Sequence, residues 1–249
     1  MIVIVIGMHR SGTSALAGIL HLNEIIMGEE SIFRPKPLPQ NPKGFYENYL
    51  FRKINDKMLE KYGYKVKSFK TDIPRIEAND QMKQKMKKLL LKYQDKYTSW
   101  GWKDPRTCLT LSIWLDILNE LNLIDSFKIL FTIRNAQSVT RSLVKRDGLK
   151  ELQALMLWNI YNKLAIKAVD KYSIDTFYFT YEQLIKEPVL TTQAIFKFLE
   201  HNLDESLVNK FIDQNLNRSQ EGNSVDFKDK FFKEEFEAFN EMFYSRLSI

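Results

Sequence analysis

An apolar segment opens the chain and runs directly into a turn framed by two glycines. Ile2 to Ile6 are β-branched without interruption, which is typical of a strand buried on both faces. Gly7 and Gly12 frame the turn, and a helical pattern begins at Thr13. The first N–H groups of a helix have no partner inside the helix and carry the positive end of its dipole. This order of strand, turn and helix therefore predicts an anion-binding site.

The side chains of the turn also suit an anion. A histidine, an arginine and three hydroxyl residues lie in the turn and at the start of the helix: His9, Arg10, Ser11, Thr13 and Ser14. The glycine spacing matches the G-x-x-x-x-G of a nucleotide-triphosphatase loop, but Thr13 stands where that loop has its lysine. We therefore expect an anion site built from Gly7 and from Arg10, Ser11, Gly12, Thr13 and Ser14, and we do not expect an ATPase. A tight turn without a ligand is the alternative interpretation.

The composition limits the classes of protein to which the chain can belong. Its 249 residues are 44% hydrophobic and 13% aromatic, so we expect one domain over residues 1–249 with a helical annex from about residue 200. The net charge of +6 favours anionic ligands, but the lysines are dispersed and we expect no nucleic-acid partner. A single cysteine excludes an internal disulfide, and three scattered histidines indicate no metal site.

The N-terminal apolar run is too short for a signal sequence or a membrane span. With Met1 as the native start, we therefore expect a cytoplasmic protein with no membrane span. No feature of the sequence indicates an oligomeric state.

Four apolar segments with strand character alternate with helical patterns along the chain. The strand segments are Ile2 to Ile6, Trp100 to Lys103, Phe127 to Ile133 and Thr176 to Thr180. This alternation predicts an α/β fold with a central parallel sheet flanked by helices. Ligands of such sheets bind at the carboxyl ends of the strands, where we expect Gly7 to Thr13, Lys103 to Arg106 and Arg134 to Ser142 to converge.

Three segments, in this order and spacing, resemble the sulfotransferases that use 3′-phosphoadenosine 5′-phosphosulfate (PAPS). Gly7-Met8-His9-Arg10-Ser11-Gly12-Thr13-Ser14 is similar to the loop that binds the 5′-phosphosulfate in that family. Arg134, followed eight residues later by Ser142, resembles the 3′-phosphate site. Tyr181-Glu182-Gln183-Leu184, with Pro188 and Phe198-Leu199, resembles the strand and helix that end the family's common region. The resemblance implies a P-loop-like sulfotransferase fold, PAPS as donor, 3′-phosphoadenosine 5′-phosphate (PAP) as product, and no metal.

The resemblance also implies roles for individual residues. Arg10 would lie on the bridging oxygen of the donor, with Thr13 and Ser14 around the 5′-phosphate. Arg134 and Ser142 would bind the 3′-phosphate. The alternatives are a surface ion pair for Arg134 and a solvent-facing helix serine for Ser142.

The acceptor is expected to be a small molecule or glycan, with a carbohydrate or glycoconjugate hydroxyl as the group that is sulfated. Such an acceptor needs a general base, and Glu47 is the first candidate because relatives acting on sugars carry an acidic residue in a similar place. A carboxylate that only favours the helix N-terminus is the alternative. His9 is the second candidate, since histidine titrates near neutral pH. Lys103 resembles a lysine found near the acceptor in several carbohydrate sulfotransferases, and Asp104 and Arg106 are candidates to orient it or to bind substrate.

Several features depart from the family pattern or leave alternatives open. The glycine-rich lysine loop of several relatives is absent, and Arg218 within Asn217-Arg218-Ser219-Gln220 is the candidate nucleotide ligand that replaces it. Trp100 and Trp102 suit either sugar stacking or core packing. A P-loop kinase using ATP and magnesium is the rival enzyme, although the third strand ends in Arg134 and not in an aspartate. A non-catalytic module that binds an anionic nucleotide or polysaccharide is the third alternative.

Overall fold

A four-stranded parallel sheet lies at the centre of the computed structural model, which describes residues 1–38, 41–212 and 230–249. The strand order is β2-β1-β3-β4. The strands are β1 (Ile2–Ile6), β2 (Trp100–Lys103), β3 (Phe127–Ile133) and β4 (Thr176–Thr180). The predicted α/β class and parallel sheet are confirmed, and the four strands have the predicted bounds.

Helices cover both faces of the sheet. They are α1 (Thr13–Leu22), α2 (Tyr49–Lys61), α3 (Asp80–Lys96), α4 (Thr107–Glu120), α5 (Ala136–Asp147), α6 (Glu151–Tyr172), α7 (Tyr181–Lys186), α8 (Pro188–Leu199), α9 (Glu205–Phe211) and α10 (Lys230–Tyr244). Helices α2 to α6 and α10 pack on one face, and α1, α7, α8 and α9 pack on the other. Because successive strand residues point to opposite faces, Ile4 enters the first core cluster and Val5 the second. This two-sided burial explains the uninterrupted β-branched sequence of β1.

The strand register brings the carboxyl ends of the strands to one edge of the sheet. Val5 of β1 is paired with Lys103, the last residue of β2. The last residues of β3 and β4, Ile133 and Thr180, are paired with each other. The segments that follow the four strands therefore meet at this edge. No helix in the described part of the chain is both long and apolar enough to cross a membrane.

The two glycines of the first turn permit close contacts that a side chain would prevent. Gly7 has φ +152°, and a Cβ atom there would lie 2.4 Å from the carbonyl oxygen of Thr132 in β3. Gly12 has φ +79°, and a Cβ atom there would lie 2.1 Å from the ring of Tyr181 at the start of α7. The turn therefore lies directly against β3 and the Tyr181 ring.

Replacing Gly12 with alanine is expected to destabilise the fold and weaken anion binding. The Gly148→Ala variant is the matched control, because Gly148 has φ +68° and no atom within 4 Å of its Cβ position. The left-handed backbone alone costs about 1 to 2 kcal/mol for a residue with a side chain. We expect the control to lose about this much free energy of unfolding, and Gly12→Ala to lose clearly more. Urea denaturation measures both losses, and equal values would contradict the role of the Tyr181 contact.

Candidate active site

The turn between β1 and α1 is held by hydrogen bonds to its own ends and to β3. The backbone N–H of Ser11 donates to the Met8 carbonyl oxygen over 3.2 Å, and Thr132 Oγ1 donates to the Ser11 carbonyl oxygen over 3.2 Å. Ser11 is fully buried, and its Oγ has no hydrogen-bond partner among the described residues. A buried hydroxyl without a partner is costly, and a bound anion would supply the acceptor that it lacks.

Lys103 joins the turn to the candidate base. Its Nζ donates to Ser14 Oγ and to Glu47 Oε1, each over 3.1 Å. The Lys103 side chain is only 1% exposed. Burial lowers the pKa of Lys103, and the nearby Glu47 carboxylate opposes this shift. The structure thus brings three sequence-predicted site residues together at the carboxyl end of β2.

Glu47 is positioned by the loop that precedes α2. Its carbonyl oxygen accepts a 3.0 Å hydrogen bond from the Arg34 N–H. This bond joins the two ends of the segment that contains Pro35, Pro37 and Pro42, here called the proline-rich loop. Two further cations approach its Oε2, since NH1 atoms of Arg52 and Arg106 each lie 3.7 Å away. The side chain of the next residue, Asn48, caps α2. The Glu47 carboxylate therefore faces Lys103 and two arginines. The N-terminus of α2 is capped by Asn48 and not by Glu47.

A buried network fixes Arg106 beside Glu47. Arg106 NH1 donates to Asp104 Oδ1 over 2.8 Å, and Arg106 Nε donates to Asp56 Oδ1 over 2.6 Å. Although burial opposes it, the pKa of Arg106 is raised by Asp104, Asp56 and Glu47. Asp104 itself is fully buried, and Arg106 holds its pKa below the usual range against the effect of burial. Both groups therefore stay charged at neutral pH.

Asn55 of α2 is a part of this network that sequence reasoning missed. Its Nδ2 donates to Asp104 Oδ2 over 2.9 Å, and its Oδ1 accepts from Thr110 Oγ1 and Trp114 Nε1 over 2.9 and 2.8 Å. Asn55 is fully buried. An asparagine on the apolar stripe of an otherwise amphipathic helix is the sequence signal that points to such a role.

Arg10, Arg134 and Ser142 form a second cluster at the same edge of the sheet. Arg10 Nε donates to Ser142 Oγ over 2.9 Å, and Arg134 NH1 donates to the Arg10 carbonyl oxygen over 3.0 Å. The Arg134 guanidinium lies 4.4 Å from the centre of the Tyr181 ring. Burial lowers the pKa of both arginines, and in Arg10 the charges of Arg146 and Arg134 add to the shift. The Arg10 side chain thus lies with the predicted 3′-phosphate residues.

His9 occupies a different environment from the one expected of a general base. Its ring packs edge-on against Tyr161 with centroids 5.8 Å apart, and its Nε2 is buried without a hydrogen-bond partner in the described structure. Burial, with a contribution from the Arg106 charge, lowers the pKa of His9 to about 3. The imidazole is therefore neutral throughout the neutral range and a weak base there.

Trp100 and Trp102 are part of the core. Both side chains are fully buried, and Trp102 stacks on Phe51 with ring centroids 4.5 Å apart. They are therefore not available to stack on a sugar. Arg218, the predicted nucleotide ligand, lies outside the described residues. Within the described ranges, no group of three or more His, Cys, Asp or Glu side chains is arranged to hold a metal ion.

The sulfotransferase family model matches residues 3–205 of the chain. The chain therefore belongs to the sulfotransferase family, and the resemblance inferred from its motifs is confirmed. It is an enzyme of the PAPS-dependent class. No curated protein sequence shows significant similarity to it.

Solved structures of low sequence identity share the fold. The sulfotransferase domain of the Synechococcus PCC 7002 olefin synthase has a TM-score of 0.62 at 15% identity, over 96% of this chain and 94% of that one. A sulfotransferase from Mycobacterium avium has a TM-score of 0.57 at 14% identity, over 97% and 76%. The sulfotransferase domain from the curacin biosynthetic pathway has a TM-score of 0.51 at 16% identity, over 98% of both chains. The P-loop-like sulfotransferase fold is thereby confirmed.

The buried state of His9 leads to a prediction about pH. Between about pH 6.5 and 3 the unfolded chain binds a proton on this imidazole and the native protein does not, so the free energy of unfolding should fall as the pH falls through this range. We expect a smaller fall in His9→Gln, measured by urea denaturation. At about pH 8 the imidazole is neutral in both the native and the unfolded protein. The difference in free energy of unfolding between wild type and His9→Gln at that pH therefore measures the effect of altered packing alone. Turnover of His9→Gln should keep the wild-type pH profile, and loss of an acidic limb near pH 6.5 would contradict this assignment.

Proposed function

We propose that the enzyme transfers the sulfuryl group of PAPS to a hydroxyl of a carbohydrate or glycoconjugate, with Glu47 as general base. The observation that carries this proposal is the position of Lys103, which donates both to Ser14 at the start of α1 and to Glu47. A cation, a helix N-terminus and a carboxylate in mutual contact are the groups that an in-line group transfer needs. Arg52 and Asp56 extend the site with fixed charges that can hydrogen-bond sugar hydroxyls.

The donor is proposed to bind with its two ends in the two clusters. Gly7 and the segment from Ser11 to Ser14 would hold the 5′-phosphosulfate, which gives the buried Ser11 hydroxyl a partner. Arg134 and Ser142 would bind the 3′-phosphate beside the Tyr181 ring. The donor would in this way lie along the carboxyl edge of the sheet, from the end of β1 to α5.

The proposed reaction has one transfer step. The acceptor oxygen attacks the sulfur, the bond from sulfur to the bridging oxygen of the 5′-phosphate breaks, and Glu47 takes the acceptor proton. PAP leaves with the electron pair of the broken bond. As in phosphoryl transfer, the transition state is loose, and fixed positive charge near the bridging oxygen stabilises it.

We infer that Lys103 and Arg10 supply this positive charge from two sides. Lys103 already lies beside Ser14, whereas Arg10 is hydrogen-bonded to Ser142. The Arg10 side chain would have to leave Ser142 and rotate to reach the bridging oxygen. The role that the family resemblance implies for Arg10 therefore stays a prediction.

Two phosphate sites predict a strong preference for PAP over other adenine nucleotides. One charge-assisted contact contributes about 1.5 to 3 kcal/mol, so AMP should bind roughly ten- to a hundredfold more weakly than PAP, and Arg134→Ala should lose a similar factor for PAP. Arg75→Ala, at a side chain 89% exposed, is the control and should bind PAP normally. Isothermal titration calorimetry measures all of these affinities.

The same assay tests the rival kinase. Equal affinities for PAP and AMP would remove the 3′-phosphate assignment. Binding of ATP with magnesium in preference to PAP, together with phosphoryl transfer, would replace the sulfotransferase proposal with a kinase.

Removing the Glu47 carboxylate should abolish most turnover and leave donor binding intact. Glu47→Gln keeps the shape of the side chain and an oxygen that can accept from Lys103, but it cannot take the acceptor proton. We expect kcat to fall by about a hundred- to ten-thousandfold, with PAP affinity nearly unchanged. Glu77→Gln, on a carboxylate 62% exposed, is the matched control. Transfer of radiolabelled sulfate from PAPS to a panel of carbohydrates provides the rate.

A normal rate in Glu47→Gln would contradict the general-base role of Glu47. PAP binding without transfer to any acceptor would favour the non-catalytic module. A cytoplasmic location, one domain over residues 1–249 and the absence of a nucleic-acid partner stay predictions of the sequence.

A further inference from the structure

A groove with an apolar floor lies between α2 and α3, on a face of α2 different from the one that holds Arg52 and Asp56. Its volume is about 350 Å³. The floor is formed by side chains that also pack against the main core, namely Leu50, Ile54, Met82 and Leu89. The rim is formed by exposed lysines of both helices, namely Lys53, Lys57, Lys85, Lys88 and Lys92.

The five rim lysines, two on α2 and three on α3, differ in their charge environment from the remaining lysines of α3. Lys83 and Lys87 form ion pairs with Glu120, and Lys96 forms one with Glu29. None of the five rim lysines forms an ion pair with a described carboxylate. The groove therefore carries five lysine charges, and none of them is in an ion pair with a carboxylate in the described part of the chain.

The shape of the groove selects among anionic partners. Its apolar side chains are buried or half-buried while the lysines are exposed, whereas a membrane surface is contacted by apolar side chains that protrude. A half-buried apolar floor between two helices fits the ridge of side chains on a third helix. Charge and shape together thus point to a helix with one apolar stripe and acidic flanks.

We propose that this groove binds an acidic amphipathic helix of a partner protein. The apolar stripe of that helix enters between α2 and α3, and its carboxylates pair with the five rim lysines. Because α2 carries both the groove and the site residues Arg52 and Asp56, the partner is held beside the catalytic edge of the sheet. The proposal does not depend on the identity of the sulfate acceptor.

The test uses a synthetic peptide as the probe. A fluorescein-labelled helical peptide of about 18 residues, with leucines at every third or fourth position and glutamates beside them, presents the required stripe and charge. A second peptide has the same composition in an order that spreads the leucines around the helix. We expect fluorescence anisotropy to show binding of the first peptide and at least about tenfold weaker binding of the second.

Charge reversal of the rim separates the groove from the general basicity of the protein. The variant Lys53→Glu, Lys85→Glu, Lys88→Glu should weaken peptide binding about tenfold or more. The control variant reverses three exposed lysines elsewhere, Lys67→Glu, Lys70→Glu and Lys186→Glu, and should change the affinity much less. Equal effects of the two variants, or equal binding of the two peptides, would overturn the proposal.

A membrane is the other anionic surface to be distinguished. Vesicles containing phosphatidylserine should sediment little of the protein, and rim-dependent sedimentation without peptide binding would replace the helix by a membrane. Transfer assays with a soluble acceptor should be unaffected by the rim variant. Failure of this proposal would appear in peptide binding, and failure of the sulfotransferase proposal would appear in the transfer assay.

Discussion

The buried ion pair between Lys103 and Glu47 is the interaction on which the arrangement of the site depends. Removing both charges from water carries a desolvation cost, which is offset only when further hydrogen bonds and charges surround the pair. Ser14 accepts from the lysine, and Arg106 and Arg52 face the carboxylate. The pair joins the end of β2, the proline-rich loop and the first helix, so three distant parts of the chain must fold together before the site exists.

The same requirement extends outward through the network. Arg106 needs the carboxylates of Asp104 and Asp56, and the buried Asp104 in turn needs the amide of Asn55. Each charge is satisfied by a neighbour that is itself fixed, and the chain of contacts ends in the aromatic core at Trp114. The network around Arg106 is thus already arranged in the free protein, and such pre-arrangement lowers the reorganisation that a reaction demands.

Local signals allowed most of the fold and part of the site to be predicted. The β-branched run of β1 predicts a buried strand, and the two glycines that follow it predict a tight turn. Parallel strands then bring their carboxyl ends to one edge of the sheet. The position of the Arg10 side chain and the role of Asn55 depend on which helices pack together, which no short segment encodes. Trp102 is a further example. Its position in the sequence is close to the site residues, but the stacking of Phe51 on its ring depends on how α2 packs against the sheet.

The ring of Tyr181 lies between two parts of the proposed donor site. It packs against Gly12 on one side of the site and under the Arg134 guanidinium on the other. A single rigid ring thus sets the separation between the loop proposed for the 5′-phosphate and the arginine proposed for the 3′-phosphate. With the donor bound as proposed, we expect this fixed separation between Gly12 and Arg134 to suit a 3′-phosphate better than a 2′-phosphate or a 2′,3′-cyclic ester.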